Sequence, residues 1–118
     1  MRRKMLSKVF VSLMTVSIVG TFGTSSVFAN NLTKSSSSQT FDKAWELSAV
    51  SGNAKLKYGY NTTAINEDYA YGYQSKSVHY SYIRNGKGVF AGNSKSAGAW
   101  SKIEVTHTGS SVSYSVIW

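Results

Sequence analysis

The sequence contains no cysteine and no proline, and only five of its 118 residues are acidic. Without cysteine, disulfide bridges, zinc–thiolate sites and thiol nucleophiles are excluded. A glycoside hydrolase needs two carboxylates about 5–9.5 Å apart across a cleft, and no such pair is indicated by the acids Asp42, Glu46, Glu67, Asp68 and Glu104. The chain also lacks a G-x-S-x-G element and a phosphate-binding glycine loop. His79 and His107 lie on separate predicted strands with no acid at ligand spacing. We therefore predict no catalytic residue, no metal site and no cofactor.

The first 29 residues have the organisation of a cleavable signal peptide. Four basic residues lie within the first eight positions, an apolar run follows over residues 9–19, and Val27 and Ala29 occupy the −3 and −1 positions. The apolar run is shorter than the roughly 18 residues of a spanning helix. This favours cleavage between Ala29 and Asn30 over a retained anchor. We expect a secreted, extracellular product of 89 residues in which nine basic residues face five acidic ones, a net charge of +4.

The remaining chain divides into a short polar segment and one small domain. Residues 30–40 are polar and include four consecutive serines, so this segment is predicted to be a disordered spacer that cannot offset its ordering entropy. Residues 41–118 are predicted to form a single β domain. The pattern from Asp42 to Val50 is compatible with either a helix or a strand.

Beyond Asn53 the residue types and their alternation predict strands. Tyr, Val, Ile, Thr and Ser dominate, which suits a pleated surface. Asn85-Gly86 between two alternating runs predicts a hairpin with a type I′ turn, and Gly88 could host a bulge. The expected fold is an all-β antiparallel sandwich of about five to six strands in two packed sheets. Its predicted core residues are Val78, Tyr80, Trp100, Val112, Tyr114, Val116 and Trp118.

A tyrosine stripe is the main candidate for a binding surface. Tyr69, Tyr71 and Tyr73 fall on one face of one predicted strand, with Lys76 just beyond it. Core packing is the alternative explanation for these rings. Tyrosine beside lysine suits an anionic or amphiphilic partner, because rings give apolar contact and ammonium groups attract phosphate. A charge of +4 and export from the cell argue against nucleic acid. The candidate target-binding residues are Tyr69, Tyr71, Tyr73, Lys76, Lys95 and Lys102.

The C-terminal half resembles the lactococcin 972 family of secreted bacteriocins. The resemblance rests on Tyr58-Gly59-Tyr60, on the run from Ser77 to Ser81 followed by Asn85-Gly86, on Ala97-Gly98-Ala99-Trp100-Ser101-Lys102, and on the ending Tyr114-Ser115-Val116-Ile117-Trp118. The chain departs from the family at Leu56 and Lys57, near which an early tryptophan is usual. It departs again at Tyr114-Ser115, which replaces a pair of tyrosines.

The resemblance implies a small β-sandwich that inhibits related Gram-positive bacteria by binding the cell-wall precursor lipid II and blocking septum synthesis. It also implies dedicated immunity proteins in the producer, namely a multi-spanning membrane protein and an ABC transporter. Two other hypotheses are a non-toxic secreted module for cell-wall glycan binding or adhesion, and a small secreted hydrolase or enzyme inhibitor. A weak homodimer is left open.

Overall fold

The computed structural model describes residues 30–118, and the predicted signal peptide lies outside these residues. The described chain forms eight strands: Asn31–Ser35 (β1), Trp45–Ser51 (β2), Ala54–Asn61 (β3), Glu67–Gln74 (β4), Tyr80–Asn85 (β5), Gly88–Ala91 (β6), Trp100–Thr106 (β7) and Ser113–Ile117 (β8). The predicted all-β class is confirmed, although the predicted strand number of five to six is too low. Within residues 30–118 no helix is long and apolar enough to cross a membrane.

The strands make two four-stranded antiparallel sheets that pack face to face. Sheet I has the order β1-β8-β5-β6, and sheet II has the order β2-β3-β4-β7. Alternation along β3 shows how the core forms, because Ala54, Leu56 and Tyr58 point between the sheets and are buried while Lys55 and Lys57 point outward. Burying one face of each sheet against the other provides the main stabilisation, at roughly 25 cal/mol for each Å² of apolar surface removed from water.

The serine-rich segment is not a spacer, because its first half is a strand. β1 pairs along its whole length with β8, and Asn30 and Trp118 exchange two backbone hydrogen bonds of 2.7 and 2.9 Å. Leu32 is buried in the core, and the Ser36 hydroxyl accepts a hydrogen bond of 2.9 Å from the backbone of Val112. Backbone pairing and one apolar side chain order a sequence whose composition predicts disorder. The ambiguous segment that follows contains strand β2.

The predicted hairpin between β5 and β6 is confirmed, but its predicted turn type is wrong. Asn85 pairs with Gly88, so Gly86 and Lys87 form the loop. A type I′ turn requires a positive φ at both loop residues. Neither Gly86 nor Lys87 has one, whereas Gly88 has φ 137°. Gly86 matters for another reason. Its N–H donates to the carbonyl of Thr108 at 2.8 Å, and a Cβ at this position would lie 3.0 Å from the same oxygen.

The predicted orientation of β5 is inverted. Val78 precedes the strand and is 46% exposed, while Tyr80 lies half-buried on the outer side of sheet I. The inward side of this segment carries the fully buried His79, Ser81 and Ile83. Small polar side chains occupy the interior because they find partners there. The Ser81 backbone N–H donates to the Ser101 hydroxyl at 2.9 Å, and the two hydroxyls are 3.1 Å apart.

The other predicted core residues divide between the interior and the surface. Val112, Tyr114 and Val116 are fully buried, and Trp118 is partly buried against them. Trp100 is 38% exposed on the outer side of sheet II, so its assignment to the core is wrong. On β7 the inward positions belong to Ser101 and its alternate neighbours, which leaves Trp100 on the opposite face.

Candidate binding surface

The outward side of sheet II carries the predicted tyrosine stripe. Along β4 the inward residues are Asp68, Ala70, Gly72 and Gln74, all of which are buried. Tyr69, Tyr71 and Tyr73 therefore point away from sheet I, and their neighbours are the outward side chains of β2, β3 and β7. We call this surface the tyrosine face.

Tyr69 is the most enclosed of the three rings. It is 7% exposed, its hydroxyl donates to Glu46 at 2.8 Å, and a Cβ on the adjacent Gly59 would lie 2.8 Å from that hydroxyl oxygen. Burial raises the pKa of Tyr69, and the hydrogen bond to the Glu46 carboxylate raises it further. A Cβ on Gly59 would lie still closer to the backbone carbonyl oxygen of Trp45, so glycine is needed at this position. Tyr69 serves mainly to anchor this end of the face.

Tyr71 occupies the middle of the face and is only half-buried. Its hydroxyl donates to the Glu104 carboxylate at 2.5 Å. Burial and then this hydrogen bond raise the pKa of Tyr71 to about 12. The phenol therefore remains protonated at physiological pH. Its ring packs beside that of Tyr69, with 5.1 Å between the two ring centroids.

Around Tyr71 and Tyr73 the face is basic and aromatic. Lys57 and Lys102 pair with Tyr71 from its two sides, and the Lys102 ammonium lies 5.1 Å from the Tyr71 ring centroid. In the next row Tyr73 lies between Lys55 and Trp100. We call this part the basic half; it consists of Lys55, Lys57, Tyr71, Tyr73, Trp100 and Lys102.

Two of the three cations of the basic half, Lys55 and Lys102, contact aromatic rings rather than carboxylates. The Lys55 ammonium lies 5.3 Å from the Tyr73 ring centroid, and the Tyr73 and Trp100 rings are 5.2 Å apart. Within residues 30–118 none of the three lysines forms an ion pair, since the salt bridge found there joins His107 and Asp68. Cation–π contacts at exposed sites contribute only about 0.5–1 kcal/mol. The ammonium groups therefore remain available to an anionic ligand.

The opposite end of the tyrosine face is acidic. Glu46 and Glu104 lie beside Tyr69, and Glu67 begins the same strand on the same side. We call these three glutamates the acidic half. The tyrosine face is consequently polarised along β4, from negative charge near Glu67 to positive charge near Tyr73.

The structure brings together some of the predicted binding residues and separates others. Tyr71, Tyr73 and Lys102 lie on the tyrosine face, whereas Lys76 is in the exposed loop after β4. Lys95 is exposed in the loop between β6 and β7, where its backbone pairs with His79. No hydrogen bond or ring contact within residues 30–118 joins either lysine side chain to the tyrosine face.

Sequence reasoning missed Lys55, Lys57 and Trp100. Strict alternation in β3 and β7 places all three outward. For Trp100 that signal was present in the sequence. Successive side chains of a strand point to opposite sides, so Trp100 lies on the same side as Lys102 and on the side opposite to Ile103.

A second polar cluster joins the two sheets. The fully buried Asp68 of sheet II accepts hydrogen bonds from His107 at 2.8 Å and from Asn85 of sheet I at 3.0 Å. Burial raises the pKa of Asp68, and the two hydrogen bonds partly oppose that rise. No partner for His107 is predictable from residue spacing, and the fold supplies one in Asp68. The His107 ring stacks on the Phe41 ring, with 4.1 Å between their centroids. No hydroxyl among residues 30–118 is hydrogen-bonded to His107.

His79 is the other buried imidazole and has a structural role. Its two ring nitrogens lie 2.9 Å from the carbonyl of Ser77 and 2.7 Å from the carbonyl of Ala99. These contacts fix the start of β5 against the loop before β7. Residues 30–118 contain no group of three or more His, Cys, Asp or Glu side chains that could hold a metal ion.

No family model, curated protein or solved structure matches the chain. The resemblance to the lactococcin 972 family therefore stays a prediction.

Proposed function

We propose that this chain is a secreted antibacterial protein that binds a pyrophosphate-bearing cell-wall precursor such as lipid II through the basic half of the tyrosine face. Binding would withhold the precursor from wall and septum synthesis in related Gram-positive bacteria. The observation that carries the proposal is the grouping of three lysines without carboxylate partners around two half-buried tyrosines and an exposed tryptophan. The choice of lipid II comes from the family resemblance.

The spacing of the lysines suits a pyrophosphate. Lys57 and Lys102 lie on the strands that flank β4, so their Cα atoms are separated by two strand spacings, about 9–10 Å. Both long side chains can converge on an anion held beside the Tyr71 ring, on the side toward Tyr73 and away from the Glu104 carboxylate that accepts the Tyr71 hydroxyl. Hydrogen bonds from an ammonium to phosphate are charge-assisted and are roughly twice as strong as neutral ones.

The aromatic side chains suit the rest of such a ligand. The half-buried Tyr73 and the exposed Trp100 form a pair of rings next to Lys55. Rings of this kind contribute apolar contact area to a sugar or a prenyl chain while their polar atoms stay in water. The acidic half would repel the phosphates and attract an amino group of the peptide stem. The ligand would therefore lie with its pyrophosphate toward Tyr73.

Vesicle binding tests the proposal directly. Purified protein is titrated with phosphatidylcholine vesicles that contain or lack lipid II, using Lys57→Gln, Lys102→Gln and the double variant. Each single variant should weaken lipid II binding about tenfold, since a hydrogen bond to a charged group contributes about 1.5–3 kcal/mol. Lys87→Gln is the matched control, because it removes one exposed charge from the β5–β6 loop on the other sheet.

Salt dependence separates the two components of the contact. Added salt shortens the Debye length from about 10 Å at 0.1 M to about 3 Å at 1 M, which should weaken the lysine contribution. The aromatic contribution should persist. Equal binding to both kinds of vesicle, or wild-type affinity in the Lys57→Gln/Lys102→Gln variant, would rule out this site.

Cell assays test the antibacterial part. Purified protein should inhibit the growth of sensitive Gram-positive cells and produce septal defects without early loss of membrane potential, and added lipid II should protect those cells. Depolarisation within minutes would indicate a pore and would contradict the proposal.

The second candidate function is a non-toxic module that binds cell-wall glycan. The Tyr73–Trp100 pair on the outer side of sheet II favours it, because sugar faces stack on such rings. This function would show binding to isolated cell walls with no growth inhibition, and the Lys57→Gln and Lys102→Gln variants would bind walls like the parent.

A further inference from the structure

The outer side of sheet I contains a shallow groove that the proposed function does not use. Its floor is the central strand β8, whose outward residues include Ser113 and Ser115. On one side the floor is flanked by Tyr82 and Arg84 of β5, and on the other by Thr33 of β1. Short serines between longer neighbours leave a depression of about 430 Å³, which lies in the range of about 300–1,000 Å³ usual for small-molecule sites.

The groove has two chemically different walls. Tyr80 and Tyr82 supply aromatic rings along β5, while Asn31 and Thr33 supply amide and hydroxyl groups along β1. The Thr33 hydroxyl already contacts the Ser115 hydroxyl at 2.8 Å, so the polar wall and the floor form one hydrogen-bonded surface. Rings facing a polar wall match a sugar, which has apolar C–H faces and a rim of hydroxyls.

Arg84 places a positive charge at one end of the groove. It lies opposite Ser113, it is exposed, and it makes no ion pair within residues 30–118. Among residues 30–118 no acidic residue lines the groove. A guanidinium group in such surroundings is suited to two parallel hydrogen bonds with a carboxylate.

We infer that this groove is a second binding site, separate from the tyrosine face, and that it takes a saccharide bearing a carboxylate. The sugar ring stacks on Tyr82, its hydroxyl and amide groups bond to the β1 wall and the serine floor, and its carboxylate pairs with Arg84. The two sites lie on opposite sides of the sandwich, so both can be occupied at once.

Two soluble probes with the same kind of amino-sugar backbone test the inference. One is the disaccharide of N-acetylglucosamine and N-acetylmuramic acid, which carries a carboxylate, and the other is the neutral disaccharide of N-acetylglucosamine. Binding is measured by isothermal titration calorimetry and by amide chemical shifts. The acidic probe should bind more tightly and should shift the amides of β8 and β5. Arg84→Gln should weaken acidic-probe binding by about tenfold or more and leave neutral-probe binding unchanged.

Lys87→Gln is again the matched control and should change neither affinity. Tyr82→Ala should weaken both probes, and the thermal melt of this variant establishes that it is folded. Equal affinity of the parent for the two probes, an unchanged affinity in Arg84→Gln, or shifts confined to sheet II would overturn the inference. Because neither probe carries pyrophosphate or lipid, this result is independent of the vesicle experiment.

Discussion

The two sheets approach each other closely at Gly72, and the substitution Gly72→Ala tests this contact. A Cβ at this position would lie 2.6 Å from Cγ2 and 2.7 Å from Cβ of Val116. Carbon atoms pack best at about 3.5–4.0 Å, so the contact is too short by roughly 1 Å. Rotation of Val116 moves Cγ2 but leaves its Cβ in place. The strands themselves must therefore separate.

Overpacking of this kind costs about 1–3 kcal/mol, a large part of the roughly 5–15 kcal/mol that stabilises a small domain. The direction of the stability change is informative, because Gly72 does not have a positive φ and its backbone conformation is therefore open to alanine. At a position compatible with alanine, the same change normally stabilises by about 0.4–1 kcal/mol. We therefore expect Gly72→Ala to unfold at a lower urea concentration than the parent, with an unchanged m-value. Urea unfolding monitored by tryptophan fluorescence measures both quantities.

Replacing Val116 supplies the matched control. Val116→Gly removes both clashing atoms, whereas Val116→Ala keeps the Cβ. The cost of Gly72→Ala should thus be smallest in the glycine background, intermediate in the alanine background and largest in the parent. Residues in contact typically couple by about 0.5–3 kcal/mol. If Gly72→Ala is as stable as the parent, or if its cost is the same in all three backgrounds, the sheets are not in contact at this point.

Two further predictions concern titrating groups. Burial raises the folded-state pKa of Asp68 above its ordinary value of 3.8, so the folded state binds this proton more tightly than the unfolded state does. The free energy of unfolding should therefore fall as the pH rises from about 4 through that raised pKa, and Asp68→Asn should flatten this part of the urea-midpoint profile; parallel profiles would contradict the assignment. On the tyrosine face, Glu104→Gln should lower the pKa of Tyr71 from about 12 part of the way toward 10, since burial, the larger cause, remains. Tyrosinate absorbance during alkaline titration measures this shift, and an unchanged curve would show that the hydrogen bond to Glu104 is not formed.

The parts of the fold that follow from the sequence are those in which apolar alternation and burial coincide. Val112 just before β8 and Tyr114 and Val116 within it alternate with serines, and all three are fully buried. The hairpin between β5 and β6 is also predictable, because local turn residues specify it. Its turn type is not, since the register that places Gly88 at positive φ is set by strand pairing.

The inverted face of β5 shows where sequence reasoning stops. Hydrophobicity favours Tyr80 and Tyr82 for the interior over His79 and Ser81. Burial of a polar group depends on whether a partner is present, and the partner of Ser81 is Ser101, twenty residues away on another sheet. Such pairs become visible only once the strands are placed.

The same limit applies to the binding surface. Alternation alone puts Tyr71 and Tyr73 on one side of β4. That Lys57 and Lys102 flank Tyr71 depends on the pairing of β4 with both β3 and β7. Strand order is a property of the whole fold, so single-strand patterns predict the rings and miss two of the three lysines around them.

The position of β8 in sheet I has a consequence for how the chain acquires its structure. β8 is the last strand along the sequence, yet it lies between β1 and β5 and pairs with both. Within residues 30–118 β1 pairs with no other strand of its sheet. Its Leu32 pairs with Val116, which is 84 residues further along the chain. During synthesis β1 therefore has nothing to pair with until Ile117 has left the ribosome. Pairings this distant in sequence also slow folding, so β1 is expected to be among the last of the described strands to be locked in place.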